Sequence, residues 1–255
     1  MKFHRQTEKV YYKNPYLSCC TAEIVKIDGE WIELNSTVAY PEGGGQDADH
    51  GEIVLPNGKS LRFIDVKKMY GHSAGLADFP DIQVDGIILH LIHPEDQYLL
   101  AALLIGTKVT VSIDIQRRAA LSLSHTASHL LYLAVGIHRP DAVVNTLGCH
   151  IKIESARFDF AVKTRISSDD LERIQATANG FIERNLSITV DSHPEIPDAR
   201  TWRCEDYKIP CGGTHLDATG AVGKLLIKRK SLGAGKERLS CEFPEAKLEL
   251  IRFHD

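Results

Sequence analysis

Apolar and polar positions alternate along Cys19 to Ile27 and again along Trp31 to Val38, with Asp28-Gly29 between them. That pattern predicts two strands joined by a tight turn. A second hairpin is predicted over Gly51 to Val66, turning at Pro56-Asn57-Gly58. The apolar, β-branched run Gly86 to Ile92 reads as a further strand, and Lys108 to Ile113 (KVTVSI) alternates strictly. Short antiparallel pieces of this kind predict a small barrel or a tightly curled sheet. The pattern then changes to α+β. Asp114 to Val135 is a strong helix former, and Cys149 to Phe160 reads as one or two strands. Ser167 to Asn185 is predicted as a second helix, with Asp169 and Glu172 in a capping pattern and Leu171, Ile174, Ala178, Phe181 and Ile182 in one apolar stripe. Leu186 to Asp191 is a predicted strand and Pro194 to Pro210 a long proline-punctuated connection. Ala221 to Lys230 and Arg238 to Phe243 close the chain as two strands, with no internal repeat or low-complexity segment anywhere.

Length and composition narrow the class. A chain of 255 residues forms one large domain or two modest ones, and 43% hydrophobic with 25% charged residues is ordinary for a globular protein with a real core. The opening MKFHRQTEKVYYKNPY has no apolar run of signal-peptide length, and no stretch is expected to span a bilayer. Six cysteines are too sparse and uneven for a disulfide framework, so a reducing, cytoplasmic setting is expected. The net charge of −4 argues against nonspecific coating of nucleic acid but leaves room for a local basic patch.

Candidate chemistry lies in two places far apart in the chain. His125 and His129 sit four residues apart in the predicted helix, so both imidazoles reach the same point on one face. They are half of a zinc site by spacing, or a partly buried pair bonded to backbone carbonyls. Cys211 and His215 are also four apart, in Cys211-Gly212-Gly213-Thr214-His215, where the glycines predict a tight loop. That loop is either a glycine turn with a buried thiol or the other half of the site. Together the two pairs make an N₃S donor set, which suits zinc better than magnesium or calcium. Tyr40-Pro41-Glu42-Gly43-Gly44-Gly45-Gln46-Asp47 is a glycine loop that either makes an awkward turn or lets a ligand approach the main chain; its spacing is not that of a nucleotide-binding loop. Lys224, Lys228, Arg229, Lys230, Lys236 and Arg238 form the one basic concentration, a solvated strand face or, with Gly233 and Gly235, a phosphate contact.

These motifs carry a resemblance. HTASHLL at 125–131, CGGTH at 211–215, YPEGGGQ at 40–46, RFDF at 157–160 and GAGKER at 233–238 resemble the AlaX-type, freestanding relatives of the alanyl-tRNA synthetase editing domain, in order over nearly the whole chain. The resemblance implies an α+β protein: a small N-terminal β-barrel-like domain with the glycine loop (1–110), then an α+β editing domain of the threonyl/alanyl-tRNA synthetase second-additional-domain type (111–255). It implies one Zn²⁺ per chain and hydrolysis, in trans, of tRNA(Ala) mischarged with serine or glycine, supporting translation fidelity. No membrane partner is expected, and the chain is expected to be a monomer or a homodimer. With no adenylate-forming domain in the sequence, it should not charge tRNA itself. His125, His129, Cys211 and His215 are then the metal and catalytic residues. Gly43, Gly44, Gly45, Gln46, Ser128, Thr146, Lys228, Lys230 and Lys236 are the substrate-binding candidates. Ser128 stands where the family commonly has threonine, and Thr146 where related editing domains often have glutamine. Four protein ligands would close the position that a catalytic zinc keeps open. Either one of them, with His215 the first choice, is a loose ligand or general base, or the metal expands to five-coordinate, or zinc only organises the site. A zinc-dependent hydrolase of a small ester or amide, and a tRNA-binding module with structural zinc, are the alternatives from other classes.

Overall fold

The computed structural model describes residues 6–79 and 82–255. Residues 1–5, part of the opening read for a signal sequence, lie outside it. Six of the strands in the first half build its core: β1 (Cys19–Asp28), β2 (Trp31–Leu34), β3 (Gly51–Val54), β4 (Ser60–Met69), β5 (Ile87–Ile92) and β6 (Lys108–Ile113). They close into an antiparallel barrel in the order β6-β1-β2-β5-β4-β3, with β3 pairing back onto β6. Closure leaves no free sheet edge. The alternating residues Ile24, Ile32, Ile53, Leu61, Phe63, Ile88, Ile92 and Val111 fill the interior, each at most 1% exposed. The second hairpin and the closing strand match the sequence pattern. The second strand of the first hairpin stops at Leu34 rather than Val38, because Ser36–Thr37 leaves the barrel to pair in parallel with Glu8–Lys9.

Helix α1 (Ile115–His138) follows β6 directly. Asp114 caps it, accepting from the N–H groups of Gln116 and Arg117 at 3.0 Å each. Arg118, in the first turn, is fully buried and donates to both oxygens of Asp49, to Val38 O (2.6 Å) and to Pro15 O (3.0 Å). Asp49 in turn accepts from Tyr40 N–H (2.7 Å), so one buried ion pair ties the helix to both ends of the glycine loop. By length and a mean hydropathy of 1.2, α1 is the one described helix apolar enough to cross a bilayer, contrary to the expectation that no stretch is. Most of it is buried inside the protein, where Leu123, Ala127, Leu130, Leu131, Ala134 and Val135 belong to the second core.

Against that face lie β7 (Thr146–Ile151) and β8 (Ser155–Ala161), so Cys149 to Phe160 is two strands, and α2 (Ser168–Glu183). The cap of α2 is Ser167 with Asp170 in a reciprocal box, not Asp169 with Glu172. The Pro194 to Pro210 connection is also corrected: β9 (Ile188–Ser192), β10 (Arg200–Cys204) and β11 (Tyr207–Pro210) form a three-stranded antiparallel sheet. Prolines at 194, 197 and 210 fall outside or at the end of those strands, where no ladder N–H is lost. Finally β12 (Leu226–Gly233) and β13 (Lys236–Glu242) complete a four-stranded sheet in the order β7-β8-β13-β12.

Candidate metal centre and cavity

α1 delivers His125 and His129, and the loop leaving β11 delivers Cys211 and His215. All four are buried, and their donor atoms lie within 4.8 Å of one another. Cys211 Sγ is 3.5 Å from His125 Nε2 and 3.4 Å from His215 Nε2. The edge between sulfur and nitrogen of a tetrahedral zinc is about 3.6 Å at ordinary bond lengths. The donor set and these two separations fit a metal of that kind. Burial drives the His125 imidazole down to about 3 and holds His129 and His215 well below the ordinary value, the neighbouring imidazoles adding to the last two. It also pushes the Cys211 thiol up to about 12. The protein thus gathers neutral, dehydrated donors, and a bound metal would turn the thiol into a thiolate.

Two of the imidazoles are oriented from behind. His125 Nδ1 lies 2.7 Å from Gln46 Oε1, which also accepts from Thr214 N–H (3.1 Å). Gln46 Nε2 donates to Thr214 Oγ1 (3.0 Å), and Ser122 Oγ donates to the same oxygen (2.9 Å). His215 Nδ1 faces Thr126 Oγ1 at 3.4 Å, and that hydroxyl is fixed by Ser122 O and Leu216 N–H. Such outer contacts set which ring nitrogen is offered to the metal. His129 differs: its Nδ1 is buried with no hydrogen-bond partner among the described residues, and its ring rests edge-on against Trp202 at 4.8 Å.

The cluster forms part of the wall of a cavity of about 630 Å³ between the barrel and the α+β half. The glycine loop forms another part. Gly43 and Gln46 exchange backbone hydrogen bonds (3.1 and 3.0 Å), and the loop adds to the edge of β7 through Ile151 N–H to Gly45 O (2.7 Å) and Asp47 N–H to Ile151 O (3.1 Å). Gly45, at φ +84°, is required there: an added Cβ would come within 2.4 Å of Cys149 Sγ.

The structure brings some of the sequence candidates together and leaves others apart. Gly43, Gly44, Ser128 and Thr146 line the cavity. Gln46 is fully buried behind His125, a position that orients a ligand rather than facing the cavity. Lys228, Lys230 and Lys236 are exposed on the β12–β13 hairpin and do not line the cavity; Lys228 pairs with Glu242 at 2.6 Å. Side chains the sequence reading missed also line it: Tyr12, Lys68, Asp198, Tyr132 and Phe158. Tyr132 was legible, since it follows His129 by three residues on the same helix face. Lys68 and Asp198 were not, because the contacts that place them span more than a hundred residues.

The chain is similar in sequence to one segment of alanine–tRNA ligases. Over 96% of its length the chain is 28% identical to an alanine–tRNA ligase of Pyrococcus abyssi, and over 88% it is 33% identical to one of Carboxydothermus hydrogenoformans. That of Methanosphaera stadtmanae is 27% identical over 98% of the chain. In each case the match occupies 25 to 28% of the ligase, so the chain spans about a quarter of the length of the curated relatives it matches. No protein-family model matches it.

Proposed function

We propose that this chain is an aminoacyl-tRNA deacylase that clears mischarged tRNA(Ala), most readily the seryl form, and that the four-residue cluster holds one zinc ion. The observation that carries the reading is an N₃S cluster in the wall of a cavity lined by hydroxyls, in a chain similar throughout to a segment of alanine–tRNA ligases. An alanine pocket rejects serine and glycine by only a few kcal/mol, so accurate charging needs a second, hydrolytic site.

The cavity hydroxyls suit serine. Ser128 Oγ donates to His125 O (2.7 Å) and Thr146 Oγ1 to Val143 O (2.8 Å). With its proton committed, the exposed Thr146 hydroxyl can only accept, so it favours a substrate that brings a side-chain donor such as the serine hydroxyl; Ser128 is fully buried. Alanine brings no side-chain donor and leaves the acceptor unpaired, at a cost of about 1–3 kcal/mol if buried. The N–H groups of Gly44 and Gly45 have no acceptor among the described residues, and Gly44 lines the cavity. Gly44 N–H is the donor we assign to the ester oxygen as negative charge develops on it. A zinc ion held by His125, His129, Cys211 and His215 supplies Lewis acidity toward the ester carbonyl. His215 is oriented as a ligand is; His129, whose Nδ1 has no hydrogen-bond partner among the described residues, is the ligand least held from behind. Lys230 and Lys236, which make no ion pair among the described residues, remain our candidates for contact with tRNA phosphates beyond the cavity, with Lys228 beside them.

Four buried donors, enough in number to fill a tetrahedral coordination sphere, also favour a second reading, a tRNA-binding module in which zinc is structural. Deacylation of seryl-, glycyl- and alanyl-tRNA(Ala) separates the two. Loss of the seryl ester with alanyl-tRNA spared supports the hydrolase, and stability of all three esters removes it.

A further inference from the structure

Four side chains of α1 reach the cavity: His125, Ser128, His129 and Tyr132. Their spacing puts them on one helix face, with Tyr132 two turns, about 10.5 Å, beyond His125 along the axis. The histidines belong to the cluster, and the Ser128 hydroxyl is bonded to its own helix. Tyr132 has no such task. It is half-buried, and its hydroxyl makes no hydrogen bond among the described residues. Its ring meets Phe158 of β8 at 5.0 Å and 38°, and Phe160 stacks behind Phe158 at 6.0 Å and 18°. The result is an aromatic face, braced from the core, on a cavity wall. The charged residues that line the cavity, Glu42, Lys68 and Asp198, come from the glycine loop, from β4 and from the segment before β10. None comes from α1 or β8.

We propose that Tyr132, backed by Phe158, stacks against the terminal nucleobase of the aminoacyl-tRNA while the ester lies at the cluster. This rests on the deacylase reading above. Five bonds, through O3′ and the ribose, separate the ester carbonyl carbon from the nitrogen that bears the base, roughly 6 Å when extended. An ester seated between His125 and His129 therefore carries its base onto the next turn of α1, where Tyr132 stands. Stacking suits this role because it holds the invariant end of every tRNA without reading the amino acid.

The test uses the metal-loaded full chain and an uncharged acceptor-stem minihelix whose terminal adenosine is replaced by 2-aminopurine riboside, which loses emission when stacked. The wild-type protein is expected to quench it, Tyr132→Phe to keep the quench and Tyr132→Leu to lose most of it. On seryl-tRNA(Ala), Tyr132→Leu should raise KM about tenfold or more with kcat within twofold, as expected for loss of one stacked base. No quench by the wild type, an equal quench by Tyr132→Leu, or an unchanged KM overturns the stacking role and shows Tyr132 only covers the core. The quench is read on uncharged RNA. Quenching that depends on Tyr132 without hydrolysis therefore sinks the deacylase reading alone, and hydrolysis with quenching indifferent to Tyr132 sinks this inference alone.

Discussion

Gln46 Oε1 stands 2.7 Å from His125 Nδ1, although 79 residues separate the two in the chain. A loop of the barrel half thereby holds the proposed ligand His125 of the α+β half with Nε2 toward Cys211. Gln46→Leu keeps the approximate volume and removes that hold. It is expected to weaken zinc binding about 10–100-fold, measured by competition with a chromophoric chelator. Unchanged affinity would mean that the helix alone orients His125.

Gly213 is the tightest point of the ligand loop. A Cβ there would lie 2.1 Å from His125 Cε1 and 3.0 Å from Gln46 Oε1, whereas one at Gly44 meets nothing within 4 Å. Gly213→Ala is therefore expected to displace the His125 ring and leave well under one metal per chain after gel filtration. Gly44→Ala, which suffers only the strain of φ +60°, should keep its full metal content. Equal metal content in the two variants would show that the loop yields to the added methyl group.

Much of this arrangement was legible in the sequence, for reasons that are local. The Asp28-Gly29 turn and the strict alternation of Lys108 to Ile113 marked barrel strands because turn chemistry and period are properties of short segments. The two His/Cys pairs were visible by spacing. What was not legible is long-range. Gln46 was named as a substrate-binding candidate through the resemblance; that its amide meets His125 and Thr214 depends on contacts spanning 79 and 168 residues. The strands at Arg200–Cys204 and Tyr207–Pro210 were hidden by neighbouring prolines. Lys228 was read toward phosphate from its charge and the neighbouring glycines; that it stands away from the cavity and pairs with Glu242 depends on the fold of the hairpin and could not be read from the sequence.

His90 gives the barrel a pH dependence of its own. It is fully buried, its Nε2 2.9 Å from Thr37 Oγ1 and its Nδ1 3.2 Å from Ile32 O, and burial lowers it to about 4. An unfolded chain, with an ordinary imidazole near 6.5, takes up this proton first as pH falls. The contribution is fully present above pH 6.5 and is lost progressively down to about pH 4, amounting to roughly 3 kcal/mol. Urea midpoints at pH 7 and pH 4.5 should fall further apart for the wild type than for His90→Phe. Equal separations in the two proteins would remove His90 as a source of acid sensitivity.

The central claim, that the cluster holds a metal needed for ester hydrolysis, is tested most directly by single-turnover deacylation of seryl-tRNA(Ala). The protein is assayed as purified, after metal removal by a chelator, and after restoration of one equivalent of zinc. The expected result is loss of hydrolysis on stripping and recovery on restoration, with the protein still folded by circular dichroism in all three states. Full hydrolysis by folded, metal-free protein would contradict the account.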